Sequence, residues 1–497
     1  MRELLGEKDR RRLELVEKIY LNPGITIDEL SETLFLTAIQ LQTDLGFLQH
    51  PLAPIEIEVN RSRQCFLKIP ATLSIKHVYR VFLENSLVFR LLEAIFFHEY
   101  ENYDKLATEL FVSQATLKRA IAFANRCFDP HDIRIKSRPV RLEGDEINIR
   151  AFFNFYFQER YPDDDYPFAE IEKNLVSELA DLFIRRLPEH KQNYASRNRL
   201  NLYLLVSLIR EKQHHVPLQV NYLTEIQKHR LADELASFVG KQKFEHYFKL
   251  KLTPELYLRL FRQYLNSGYA FSASDYSERI SENPQNRQLY DGVYRVVSEL
   301  SRQLDIPVLE MNELVLKIYN VLSTTAKLTI TPYILFPNRK SFLLLSRHLQ
   351  EAVQQQTRQL FNHYLPAVAE RNQAYFYEFF YLLVTHWPDF YHYLIQLTPP
   401  CRVGLFFNSD VEHMTYMKAH LQFLFGEKIT VEILNLQTVE ELTNVSAAFD
   451  LIVINFVLPA RVPLATRYIS VIDVLSQDDV SKIGRVVNEQ YYHNMRL

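Results

Sequence analysis

One order of segments occurs twice in the first 150 residues of this chain, and it limits the fold more than any single residue does. Each copy is three helical stretches followed by a run that alternates apolar and polar residues around a turn. In the first, "RRRLELVEKIYLN" sets Leu13, Val16, Ile19 and Tyr20 at helical spacing and ends at Asn22-Pro23-Gly24. Thr26, with Glu29 three residues on, is a capping-box signature for "TIDELSETL". Thr37 caps a third helix, "TAIQLQTDLGFLQ", whose apolar stripe is Leu41, Leu45 and Leu48. "IEIEVNRSRQCFLKI" then reads as a β-hairpin. The second copy is "SLVFRLLEAIFFHEY", "NYDKLATEL" and "SQATLKRAIAFANRCF", closed by "IRIKSRPVRLEGDEINI" as a two-stranded wing. Three helices and a hairpin make a winged helix-turn-helix, so two such units are expected, over 1–70 and 71–160.

In a helix-turn-helix the last helix of the unit enters the major groove, and its first residues meet base edges. "SQATLKRAIAFANR" suits that task. Ser113 caps the helix and faces phosphate, while Gln114 and Thr116 reach bases, Gln pairing best with adenine. Lys118 and Arg119 meet phosphate or guanine, and Leu117, Ile121 and Ala124 turn inward. Lys136, Arg138 and Arg141 place the wing on the adjoining backbone. From 105 to 141 there are eight Lys/Arg against three acids, a formal +5, whereas residues 1–150 hold 21 basic and 22 acidic residues. Positive charge is therefore gathered on the second unit's last helix and wing. The third helix of the first unit offers Thr37, Gln40, Gln42 and Thr43 but no cation. Its Asp44 would oppose phosphate, and Arg10, Arg11, Arg12, Arg61 and Arg63 stand at its flanks.

The remaining chain changes character twice. Two helical bundles are expected over 161–282 and 283–398, as in "IEKNLVSELADLFIRRL" and "VYRVVSELSRQL", with the boundary in the loop near Ser281–Asn286. The aromatic run "NQAYFYEFFYLLVTHW" has the spacing of a bundle core or dimer face. Over 399–497, "RVGLFF", "ITVEIL" and "DLIVINF" alternate with helical segments, as in a small parallel sheet covered on both faces. The fold class is thus multidomain and mainly α, with a C-terminal α/β domain.

Composition removes several functions. There are ten glycines in 497 residues, with no GxGxxG, GxxxxGK[ST], HExxH or GxSxG. Cys65, Cys127 and Cys401 lie far apart, which gives neither a zinc spacing nor a disulfide framework. His413 and His420 share a helical face without further ligands, and the acids Asp163 to Asp165 lack the pattern of a calcium loop. "MRELLGEKDRRRLELVEK" has no apolar core of a signal peptide, and no apolar run approaches the ~18 residues of a membrane span. A cytoplasmic, cofactor-free, non-enzymatic protein is expected.

The order of parts resembles the Mga/AtxA-like transcriptional regulators of Gram-positive bacteria. The resemblance rests on "LFVSQATLKRAI" as the DNA-reading helix, and on "NLYLLVSLIREKQHHVPL" and "LVLKIYNVLS" as parts of two phosphotransferase-system regulation domains. "CRVGLFFNSD" and "FDLIVIN" look like an EIIB-type domain. It implies a virulence-type regulator that binds double-stranded DNA, forms a homodimer and communicates with phosphotransferase-system proteins. Where such domains often carry a phosphorylated histidine, this chain has Tyr203 and Tyr319. His214 and His215 lie just downstream of the first, and His348, His363, His386 and His392 lie in the second bundle. Where EIIB domains carry a cysteine after the first strand, it has Asn408, Ser409 and Asp410. Two alternatives stay open: an RNA-binding antiterminator, and a component of the phosphotransfer chain.

Overall fold

The computed structural model describes residues 1–162, 165–184, 193–217, 225–265, 268–325, 328–345, 351–397 and 399–494. Asp163, Asp164 and His348 lie outside them. The chain forms two compact units: Met1–Tyr294 with Val315–Ser341 and Leu365–Glu378, and Arg295–Leu314 with Phe342–Tyr364 and Phe379–Leu497. No helix among the described residues is long and apolar enough to cross a membrane.

The larger unit begins with α1 (Glu7–Leu21), β1 (Ile25–Thr26), α2 (Ile27–Leu34), α3 (Ala38–Gln49), β2 (Glu56–Val59) and β3 (Gln64–Lys68). The strands pair antiparallel in the order β1-β3-β2, with Ile57 opposite Leu67 and Val59 opposite Cys65. The stripe that the periodicity marks is the core: Leu13, Val16, Ile19, Leu30, Leu41 and Leu48 are fully buried. Each stabilises the fold by about 1.5–3 kcal/mol. Thr26 and Thr37 both complete capping boxes, with Glu29 and Gln40 respectively.

The second repeat is α4 (Lys76–Asn85), α5 (Leu87–Phe97), α6 (Tyr103–Glu109), α7 (Gln114–Phe128), β4 (Ile133–Ile135), β5 (Leu142–Gly144) and α8 (Glu146–Arg160). Two features differ from the sequence expectation. The helix α4 precedes the three expected ones. The segment "EINI", whose alternation imitates a strand, opens α8 instead, because Asp145 accepts hydrogen bonds from the Ile147 and Asn148 amides as an N-cap. Gly144 permits the switch. It sits at φ +130°, and a Cβ there would lie 1.9 Å from the Asp132 carbonyl oxygen, which accepts the Asp145 amide.

Next come α9 (Glu170–Ile184) and α10 (Tyr194–Lys212). Leu200, Leu202, Leu204, Leu205, Val206 and Leu208 bury α10 on nearly all sides, as befits the central helix of a bundle. A buried ion network ties it to α8: Arg150 and Arg210 bond Glu146, and Arg150 and Arg259 bond Glu211. A strap over 328–336 lies along the winged repeats. Its Ile334, Leu335 and Phe336 amides all donate to the Glu159 carboxylate at 2.7–3.0 Å, and its Thr329 amide donates to Asn148. Arg2 Nε donates to the Leu335 carbonyl, and the Phe336 ring lies 4.7 Å from Tyr79. Burial raises the Glu159 carboxyl to about 7 despite those three donors.

In the smaller unit, β6 (Cys401–Phe406), β7 (Ile429–Ile433), β8 (Leu451–Ile454) and β9 (Arg467–Ser470) form a parallel sheet in the order β7-β6-β8-β9. One face packs on Met417 and Leu421 from the helix Val411–Phe425, and on Ile483 and Val487 from the helix Gln477–Asn494. The other packs on Leu434, Leu442 and Val462. β8 is buried throughout, as the central strands of a doubly covered sheet must be. The aromatic run reads as core in both units: Tyr375 and Phe376 in the larger, Phe379, Phe380 and Trp387 in the smaller, all at most 2% exposed.

Candidate nucleic-acid interface

The turn between α6 and α7 sets the interface. Asn102 caps α6, and Ser113 caps α7 by accepting the Thr116 amide at 3.1 Å. Leu117, Ile121, Ala124 and Phe128 are buried, so the opposite face of α7 is turned to solvent. Ser113, Gln114, Lys118 and Arg119 are exposed there, and Thr116 is half-buried. Thr116 Oγ1 lies 2.9 Å from Ser113 Oγ and accepts from Arg119 at 3.4 Å, so the cap and one cation share a small polar cluster. Among the described residues, neither Gln114 nor Lys118 has a side-chain partner, and Arg119 bonds only α7 itself. Those donors remain for an outside acceptor.

The wing differs from the expectation. Lys136 pairs with Glu143 at 3.2 Å, and Arg141 with Glu143 at 2.6 Å and Glu99 at 3.7 Å. The Arg141 guanidinium holds the Glu143 carboxyl below its ordinary range. Two of the three expected wing cations are thus balanced within the protein. Arg138 is exposed, as is Arg134 on β4, and neither is paired among the described residues. Lys105 is also balanced, by Glu101 at 2.8 Å. The unbalanced cations are therefore Lys118, Arg119, Arg126, Arg134 and Arg138.

The first repeat presents a different surface. Asp44 does not oppose phosphate: it is fully buried, bonding Arg11 at 2.7 Å and Arg12 at 2.9 Å. The same contacts remove Arg11 and Arg12 from the flanks, Arg12 being 3% exposed with its guanidinium 3.4 Å from the Phe47 ring centre. Arg63 pairs with Asp28. Thr37 and Gln40 are exposed but bond each other as a capping box, and the Thr43 hydroxyl donates to the Ile39 carbonyl. Gln42 is exposed and unpartnered among the described residues.

The regulatory positions are also placed. Tyr319 is fully buried, its ring 5.4 Å from Tyr276 and 5.7 Å from Tyr290. Tyr203, on α10, is half-buried, and desolvation raises its hydroxyl. His215 Nε2 lies 2.9 Å from Glu99, and desolvation lowers its pKa. His214 is exposed at φ +64° in the turn that ends α10. In the smaller unit, Asn408 donates its amide to Asn455, and Asp410 caps the helix after β6. Cys401 is the first residue of β6, not a residue after it. It is buried, and desolvation pushes its thiol up to about 12.

Residues 71–157 match the family model described as the Mga helix-turn-helix domain. A putative trans-acting regulator of Streptococcus pneumoniae serotype 4 is 22% identical over 470 residues, covering 92% of this chain and 94% of that one. The capsule synthesis positive regulators AcpB and AcpA of Bacillus anthracis are 20% and 21% identical. The first alignment covers 64% of this chain and 67% of the relative, the second 33% and 34%.

Proposed function

Because the chain belongs to the Mga/AtxA-like transcriptional regulators, we propose that it grips duplex DNA mainly through α7. Ser113, Gln114 and Thr116 meet the groove, with Lys118 and Arg119 on phosphate. The observation that carries this reading is the solvent-facing side of α7, where Gln114 and Lys118 have no partner among the described residues. The wing adds Arg138, and Lys136 and Arg141 once their carboxylates are displaced. The first repeat adds Gln42 and neutral contacts from Thr37, Gln40 and Thr43.

Five domains, at 1–70, 71–160, 161–282, 283–398 and 399–497, divide this work. The last three act in the cytoplasm as dimerising and regulatory parts, in contact with phosphotransferase-system proteins. Twofold pairing suits such a regulator, since a homodimer is the commonest closed assembly. Of the two histidines after Tyr203, His214 is the open one, because His215 is held by Glu99. An enzymatic phosphotransfer role needs an activated nucleophile, and a buried Cys401 with a raised thiol does not supply one.

Binding of the full chain to duplex DNA and to a hairpin RNA at equal salt tests the proposal. Tight binding to duplex that weakens in Lys118→Ala/Arg119→Ala is expected. Preference for the hairpin, or indifference to that change, contradicts it.

A further inference from the structure

The two helix-turn-helix turns are closed by the same hydrogen bonds. After α2, the Phe35 amide reaches Glu32 and the Leu36 amide reaches the Ser31 carbonyl. After α6, the Phe111 amide reaches Thr108 and the Val112 amide reaches the Ala107 carbonyl. The amide of the second turn residue bonding five residues back is a Schellman closure, whose left-handed position ordinarily holds glycine. Here both positions hold phenylalanine, at φ +53° and +56°. The side chains are not tucked away: Phe35 is 94% exposed and Phe111 91%. A large apolar ring in water, on a backbone conformation that penalises a Cβ, is disfavoured on two counts, and it occurs at the same place in both repeats.

The surroundings identify what covers these rings. Each stands two residues before the N-cap of the helix that its unit presents to solvent, beside Thr37 in one repeat and Ser113 in the other. Counted from those caps, Ile39, 77% exposed, corresponds to Ala115, also exposed. Each repeat therefore shows an apolar pair at the leading edge of its last helix. Around Phe111 that edge is bordered by the unpartnered Gln114 and Lys118 and by Arg119, a rim that suits a polyanion better than an apolar protein surface. The apolar group that a duplex presents in its major groove is the thymine C5-methyl.

We infer that Phe111 and Phe35, with Ala115 and Ile39, are specificity-determining groove contacts that read thymine methyls. This rests on the proposal that α7 faces the major groove.

The test uses the full chain and two duplexes of one mixed A·T-rich sequence, one with thymine and one with every thymine replaced by uracil. The wild-type protein binds the thymine duplex more tightly, by about fourfold for each methyl covered. Phe111→Gly and Phe35→Gly weaken binding to the thymine duplex and reduce the preference over uracil. Their thermal midpoints stay at or above that of the wild type, because glycine accepts the left-handed backbone. Unchanged affinity in both variants overturns the inference, as does an equal affinity of the wild type for the two duplexes. A lowered midpoint also overturns it, by showing that the rings serve the fold. Lys118→Ala/Arg119→Ala separates the layers. If that variant loses affinity while the phenylalanine variants do not, only the methyl contact fails; if it too binds normally, the placement of α7 fails with it.

Discussion

Counted from their caps, α3 and α7 bury the same three positions, Leu41, Leu45 and Leu48 in one and Leu117, Ile121 and Ala124 in the other, and three of their differences are telling. Where α7 has Lys118 and Arg119, α3 has Gln42 and Thr43; where α7 has Ala120, α3 has Asp44. The single acid in α3 pairs with Arg11 and Arg12 from α1 and buries Arg12, so two cations of the first repeat are held within it, while Arg10 and Arg61 stay exposed. The second repeat has no acid at that place and leaves Lys118 and Arg119 of α7 exposed, although Lys105, Lys136 and Arg141 are paired. One scaffold thus carries two charge patterns, one partly locked within the repeat and one presented on α7. The distinction depends on a few positions rather than on net charge, which is nearly balanced over the first 150 residues.

The comparison can be broken at several points. Asp44→Ala leaves the buried Arg12 with only the Asp9 carboxylate at 3.6 Å, and breaking a buried pair in this way costs about 3–5 kcal/mol. Denaturant unfolding should show that loss; a loss below about 1 kcal/mol would mean that the pair does not lock the first repeat.

Glu159, which holds the 328–336 strap against the repeats, gives a pH test. Its carboxyl is raised to about 7 in the folded protein, above its ordinary 4.5. The folded state therefore binds the proton more tightly than the unfolded state. The associated stability is present below about pH 4.5 and is lost as pH rises through 7, up to about 3 kcal/mol in all. Glu159→Gln should flatten the stability profile between pH 5 and 8 relative to wild type. Parallel profiles would contradict the assignment.

Smaller effects sharpen the contrast. Thr37→Ala and Ser113→Ala each remove an N-cap and should cost about 1 kcal/mol by thermal unfolding. Ser113→Ala should also weaken DNA binding, and more than Thr37→Ala, which removes a neutral contact of the first repeat. Glu143→Gln releases Lys136 and Arg141, which should strengthen DNA binding and steepen its salt dependence. No change in either would place the wing away from the backbone.

Much of this was legible in the sequence, and the exceptions have physical causes. Helical periodicity and caps at Thr26, Thr37 and Ser113 mark the winged repeats, because those signals are local. The start of α4 carries no local signal, because Ile75 gives it no side-chain cap. The start of α8 imitates a strand because Glu-Ile-Asn-Ile has period two, and only the geometry of Asp145 and Gly144 reveals the turn. The partners of Asp44, Lys136 and Arg141 are set by tertiary approach; the Asp44 pairs, for example, join residues 32 and 33 apart. The strap on Glu159 spans about 175 residues and leaves no local trace. Phe35 and Phe111 were readable as the repeated "LF" before each cap, but their exposure was not.

The claim that the second repeat carries the phosphate contacts, and the first does not, is tested most directly by the salt dependence of duplex binding. The logarithm of affinity should fall with the logarithm of salt concentration less steeply in Lys118→Ala/Arg119→Ala than in wild type, by about 1.8 in slope for two phosphates released. Gln42→Ala/Thr43→Ala, at the corresponding places of α3, should leave the slope where it is. Equal slopes for wild type and the Lys118/Arg119 variant, or a change confined to the α3 variant, would contradict the account.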